Sequence, residues 1–179
     1  MGSIRQHSPV LLILAAFSRH SQALNWARDQ AQREWGKIAL ESEPFEFRET
    51  EYYTATMGPD LRKIFFSFQN LIDPTDIATL KKVTNQWEER FQRTHDCGEP
   101  RPLNLDPGYI SEAKLILAST KDHSHRIHLR DGIYAEITLH YQQGNWRELP
   151  WTFPDFRRDD YREFFRECRK YLRTEQKKR

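Results

Sequence analysis

Residues 9–17 form an unbroken apolar run of strand length, the pattern of a strand covered on both faces. Ser18 and Ser21 offer capping oxygens, after which Leu24, Ala27, Ala31 and Trp35 recur at helical spacing up to Gly36, a helix stop. Phe45 and Phe47 then alternate with Glu46 and Arg48, and Tyr53, Ala55 and Met57 carry the alternation on, so 45–57 reads as β-type sequence. Gly58-Pro59-Asp60 turns the chain, and Ile64, Phe66 and Phe68 line one face of a returning strand. Asp73-Pro74 opens the clearest helix. Asp73 can cap it, Pro74 suits its first position, and Ile77, Leu80, Thr84, Trp87 and Phe91 form its inner stripe.

Gly98, Pro100, Pro102, Pro107 and Gly108 interrupt residues 94–111, which read as a long loop of the kind that is usually functional or disordered. Strand character returns at Lys114-Leu115-Ile116-Leu117-Ala118. The order is then β-α-β-β-α-β, which predicts an α+β fold with a ferredoxin-like core, extended by a C-terminal β-hairpin and helix. In that hairpin, Arg130-Asp131-Gly132 reads as a three-residue loop that sets Leu129 against Ile133, Ile127 against Ala135 and Arg126 against Glu136. A two-residue Asp-Gly loop is rejected, because it would set Ile127 against Glu136 and mix core with polar faces. Residues 146–149 are an edge-strand candidate, and the last helix starts near Asp159 with Tyr161, Phe164, Phe165, Cys168 and Leu172 inward.

The chain has 179 residues, which fits one domain over 1–179 with loose ends at about 1–7 and 174–179. Eleven Phe, seven Tyr and five Trp supply a real core. The net charge of +2 does not argue for nucleic acid, although 155–179 holds ten Lys and Arg against six Asp and Glu. Nucleic acid is therefore not the expected partner, and RNA binding by a basic C-terminal helix is kept only as a remote alternative. Cys97 and Cys168 show no metal or redox spacing, which suits a reducing compartment. The apolar run at 10–17 is far short of the ~20 residues that span a membrane, and Ser18-Arg19-His20 turns polar with no small-residue cleavage site. A cytoplasmic protein without membrane contact is expected.

Reactive side chains concentrate between Asn104 and Thr138. Asn104, Lys114, Thr120, Lys121, Arg126 and Thr138 are the candidate ligand-binding groups, with Lys121 and Arg126 suited to a phosphate or carboxylate. Asp106, Asp122, His125 and Glu136 are the candidate catalytic groups. His123, His125 and His128 are metal-ligating types, but His125 and His128 fall on opposite faces of a regular strand, so no metal is assigned. No phosphate-binding glycine loop, dinucleotide fingerprint or GxSxG is present, and the sequence names no cofactor.

The stretches Asn104-Leu105-Asp106-Pro107-Gly108-Tyr109, 114–122, His125-Arg126-Ile127, 131–139 and Pro150-Trp151-Thr152-Phe153-Pro154-Asp155-Phe156 resemble the signature of domain of unknown function 4416 (DUF4416). Glu51-Tyr52-Tyr53, Met57-Gly58, Thr84-Asn85 with Glu88, and Tyr161 with Phe164-Phe165 resemble it too. The resemblance spans nearly the whole chain. It implies a bacterial cytoplasmic protein of one domain and transfers no activity, cofactor or catalytic residue. Three functions are expected in descending order: a site for an anionic small molecule, enzymatic or regulatory; a non-catalytic scaffold, dimeric through a face around Tyr52, Phe65 and Trp146; and RNA binding.

Overall fold

The computed structural model describes residues 2–3 and 6–178. In chain order the elements are β1 (Val10–Ser18), α1 (Ser21–Trp35), β2 (Ile38–Glu41), β3 (Phe45–Glu46), α2 (Thr54–Met57), β4 (Arg62–Ile72), α3 (Ile77–Thr94), β5 (Asn104–Ile110), β6 (Lys114–Ser119), β7 (Ile127–Arg130), β8 (Ile133–Gln142), β9 (Asn145–Glu148) and α4 (Asp159–Lys177). The class is α+β. All nine strands join one sheet in the order β2-β4-β1-β5-β6-β8-β7, with β3 on β4 and β9 on β8, and the pairings are antiparallel.

β1 is buried along its whole length, which accounts for the unbroken apolar run. Its side chains alternate between two cores. Leu12, Leu14 and Ala16 pack with Ala23, Leu24, Ala27 and Ala31 of α1 and with Trp87 and Phe91 of α3. Leu11, Ile13 and Ala15 pack with Tyr161, Phe165, Cys168 and Leu172 of α4. The sheet is thus sandwiched between α1 and α3 on one face and α4 on the other. Burying a side chain such as Phe165 stabilises by roughly 1.5–3 kcal/mol, so the four-residue stripe is enough to hold α4 in place. Among the described residues no helix is long and apolar enough to cross a membrane.

Three local expectations are corrected. The strand that follows α1 is β2, and in 45–57 only Phe45–Glu46 is extended while Thr54–Met57 forms a single helical turn. Residues 94–111 contain β5, which pairs with β1 from Leu11↔Ile110 to Phe17↔Asn104. The hairpin turn has the two-residue form: Asp131 (φ 56°) and Gly132 (φ 72°) are both left-handed, with Arg130 opposite Ile133, as a tight primed turn requires. A bulge between His128 and Arg130 absorbs Leu129 and restores Ile127 opposite Ala135. α4 runs through 174–177, where Gln176 donates to the Pro9 carbonyl at 2.8 Å. Of the expected loose ends, Met1, Ile4, Arg5 and Arg179 lie outside the described residues.

Candidate active site

The site begins with a split in the sheet. β6 pairs with β5 only at 108–110, and the close approach at 108 needs glycine, because a side chain there would stand 2.2 Å from the Ile116 carbonyl. Toward Asn104 the two strands diverge, which also leaves Pro107 with a single strand neighbour, the position in a sheet that proline tolerates. The backbone of Leu105 is left without a β6 partner, and α3 supplies one. Lys81 Nζ donates to the Leu105 carbonyl at 2.7 Å, and Glu88 Oε1 accepts from the Leu105 amide at 2.7 Å. Lys81 and Glu88 are seven residues apart, two helical turns, and so share a face.

Charged partners complete this first cluster. Lys81 Nζ lies 2.9 Å from Asp106 Oδ1, Asn104 Nδ2 donates to Asp106 Oδ2 at 2.8 Å, and Arg101 bonds Glu88 Oε2 at 3.1 Å and also the Asn104 side chain. The two carboxyls are pushed in opposite directions. Burial pushes Glu88 up, against the pull of Lys81 and Arg101. Around Asp106 desolvation also works against the charge, but Lys81, with Lys63 beyond it, outweighs this and holds the carboxyl below its usual range. About a third of the Asp106 side chain (32%) remains exposed, so it is an ionised group that solvent can reach.

A second cluster forms where β6, β7 and β8 end. Arg126 Nε donates to Glu136 Oε2 at 2.7 Å, and its Nη1 donates to Ser119 Oγ at 2.7 Å and to the Lys121 carbonyl at 3.0 Å. His125 Nε2 lies 3.3 Å from Glu136 Oε2, and Thr138 donates to Glu136 Oε1 at 3.2 Å. The Arg126 and Glu136 side chains are 3% and 1% exposed.

Residues 150–156 cross over this second cluster. Trp151 stacks on His125 with ring centroids 5.5 Å apart and donates through Nε1 to the Ile137 carbonyl at 2.9 Å. Thr152 donates to the Thr138 carbonyl at 2.6 Å, and Phe153 lies against the Arg126 guanidinium. The segment ends at Asp155, which forms a buried ion pair with Lys63 of β4. The Lys63 ammonium also sits over the rings of Phe17, Phe47 and Phe156 at 4.9, 4.3 and 5.1 Å.

Tyr52 and Tyr53 tie the two clusters together. Tyr53 packs edge-on against Phe17. Burial, followed by the nearby Asp106 carboxylate, pushes its phenol up to about 12. Tyr52 is 69% exposed, and its hydroxyl accepts from Lys121 Nζ at 3.1 Å while the ammonium also sits over its ring at 4.6 Å. Lys121, with a further pull from Arg101, lowers the Tyr52 phenol below its ordinary 10.0. Cations favour the phenolate, so Tyr52 should ionise well before Tyr53 as pH rises. Ultraviolet titration of the protein against Tyr52→Phe checks this, and Lys121→Met should move the early phase back toward 10.

Of the candidate residues, Asn104 and Asp106 enter the first cluster and His125, Arg126, Glu136 and Thr138 the second. Lys121 stands at the rim. Thr120 and Asp122 are exposed in the turn after β6, and Lys114 lies at the opposite end of that strand, paired with His140. Lys63, Lys81, Arg101 and Asp155 were not candidates. The Lys81-to-Glu88 spacing was the available signal for two residues of the site. Two surface hollows of about 730 and 580 Å3, one beside the start of α1 and one after α3, include none of these residues. Among the described residues no group of three His, Cys, Asp or Glu side chains could hold a metal ion.

The expected scaffold face is not available as drawn, because Phe65 and Trp146 are buried beneath α4. Five of the six cations of α4 lie near a carboxylate: Arg162 by Glu148, Arg166 by Glu163, Lys170 by Glu167, and Arg169 and Arg173 by Glu112, Lys177 being the sixth. No curated protein and no solved structure matches the chain. The stretches that build both clusters fall within residues 8–171, over which the chain matches a family model, and it belongs to that family, described as a domain of unknown function (DUF4416).

Proposed function

We propose that this end of the sheet binds a small anionic molecule, a nucleotide or a phosphorylated metabolite. The observation that carries the reading is the charge imbalance at the rim. The inner cations Lys63, Lys81 and Arg126 are each held by a carboxylate. Lys121 faces only a phenol among the described residues, and Arg101, though paired with Glu88, keeps 39% of its side chain exposed. Both cations lie close enough to Tyr52 to favour its anion. Charge-assisted bonds from such groups to a phosphate contribute about 1.5–3 kcal/mol each. Of the carboxylates Glu88, Asp106, Glu136 and Asp155, Asp106 is the most exposed, so it is the one placed to meet a bound ligand.

The fold reading that accompanies this is a ferredoxin-like unit within one domain. It is supported by the order β5-β1-β4-β2 and by α1 and α3 sharing one face, with β6 to β9 and α4 added to it. A reducing cytoplasmic setting is supported by the free thiols of Cys97 and Cys168.

Thermal-shift measurements with AMP, ribose 5-phosphate and inorganic phosphate test the site. Ligand at a hundred times its Kd stabilises by about 2.7 kcal/mol, so at least one of the three should raise Tm at millimolar concentration. The double variant Lys121→Ala, Arg101→Ala should lose the shift. Three flat responses would overturn the reading.

A further inference from the structure

We infer that the ligand of this site carries a flat aromatic ring beside its negative charge, the chemistry of a mononucleotide, and that the ring stacks on the row formed by Trp151, His125 and His123. This rests on the anion-binding reading above and narrows it to one ligand class. Three large aromatic side chains are exposed among the described residues, Tyr52, Trp151 and Phe153. Each touches a basic residue of this one site: Tyr52 lies under Lys121, Trp151 stacks on His125, and Phe153 lies against Arg126. Single exposed apolar residues need no explanation, but a cluster of rings rimmed by charge marks an interaction surface.

The row has the geometry of a stacking platform. His123 and His125 are nearly parallel, 4° apart at 5.8 Å, and His125 and Trp151 are 13° apart at 5.5 Å. Trp151 is held in this orientation by its bond to the Ile137 carbonyl and by the neighbouring Thr152 anchor to Thr138. The ring is therefore ordered before a ligand arrives, and binding spends little on fixing it. Trp87 and Trp146 are buried and Trp151 remains 37% exposed, so packing does not account for this indole. A phosphorylated sugar would use Lys121 and leave the row idle, whereas a mononucleotide uses both. Stacking reads the π-face and not the base edge, so only weak discrimination among bases is expected.

Calorimetric titration of the full chain with AMP and with ribose 5-phosphate, followed also by tryptophan fluorescence, separates the possibilities. AMP should bind about tenfold more tightly and quench the emission of Trp151. Trp151→Ala should lower AMP affinity about tenfold and leave ribose 5-phosphate unchanged, while Trp151→Phe should retain most of the AMP affinity. Equal binding of the two ligands, or an equal loss for both in Trp151→Ala, would overturn the stacking inference and leave the anion site standing. Binding of neither ligand would remove the anion site itself. An adenylate octamer binding more than tenfold tighter than AMP would assign the platform to a nucleic-acid strand and overturn the mononucleotide assignment.

Discussion

Arg126→Met is expected to destabilise the protein by about 3–5 kcal/mol, the loss that follows when one partner of a buried ion pair is removed. Glu136 is 1% exposed and would keep only His125 and Thr138 as polar neighbours. Water cannot replace the guanidinium, so the variant must carry a poorly compensated buried carboxylate or open the end of the sheet. The same arginine bonds Ser119 and the Lys121 carbonyl, and the turn that presents Lys121 would loosen with it. The companion change Arg126→Met with Glu136→Leu should recover most of the loss, because a well-packed apolar pair is about as stable as a buried ion pair. Urea midpoints of the two single variants and the double variant, combined as a double-mutant cycle, measure the coupling. A single-variant loss below ~1 kcal/mol is the value for a hydrated surface pair and would place both side chains in solvent.

The Arg126–Glu136 pair was legible in the sequence because the hairpin around Asp131-Gly132 is local and its alternation constrains which residues face each other. Even there the wrong turn gave the right pair. Sequence reasoning excluded the two-residue loop since it would misalign Ile127, but the bulge at Leu129 performs the realignment, and no single residue announces a bulge. The long apolar elements β1, β4, α1, α3 and α4 were legible for the same reason of periodicity. β2 and α2, four residues each, are too short to establish a period. β5 was hidden by Pro107 and Gly108, residues that argue against a central strand unless one neighbour is known to diverge. Lys63 and Lys81 were hidden by context. Each stands in a run whose other members are core, and a lysine there reads as an interruption of the stripe. Their partners, Asp155 and Asp106, are distant in sequence, and only the assembled sheet brings them together.

Lys63→Met should cost more than Asp155→Asn, although both break the same buried pair. The two side chains are equally enclosed, at 6% and 5% exposure, so burial alone predicts equal losses of about 3–5 kcal/mol. The surroundings differ. When Asp155 is neutralised, the Lys63 ammonium still faces the rings of Phe17, Phe47 and Phe156, and a desolvated cation–π contact contributes about 2 kcal/mol. When Lys63 is removed, the Asp155 carboxylate loses the one side-chain partner it has among the described residues, and aromatic faces do not attract an anion in its place. The loss is thus expected near the bottom of the range for Asp155→Asn and near the top for Lys63→Met. In both variants residues 150–156 lose the anchor at their C-terminal end, so the amides of Thr152 and Phe156, which bond the Leu149 and Phe153 carbonyls, should exchange with solvent faster than those of β1. The consequence reaches the ligand through Trp151, which the same segment carries: AMP affinity should fall in both variants while Lys121 and Arg101 are untouched. Equal stability losses in the two variants would mean that the three rings contribute nothing to holding the ammonium, and unchanged amide exchange in 150–156 would mean that Thr152 and Trp151 alone fix the segment.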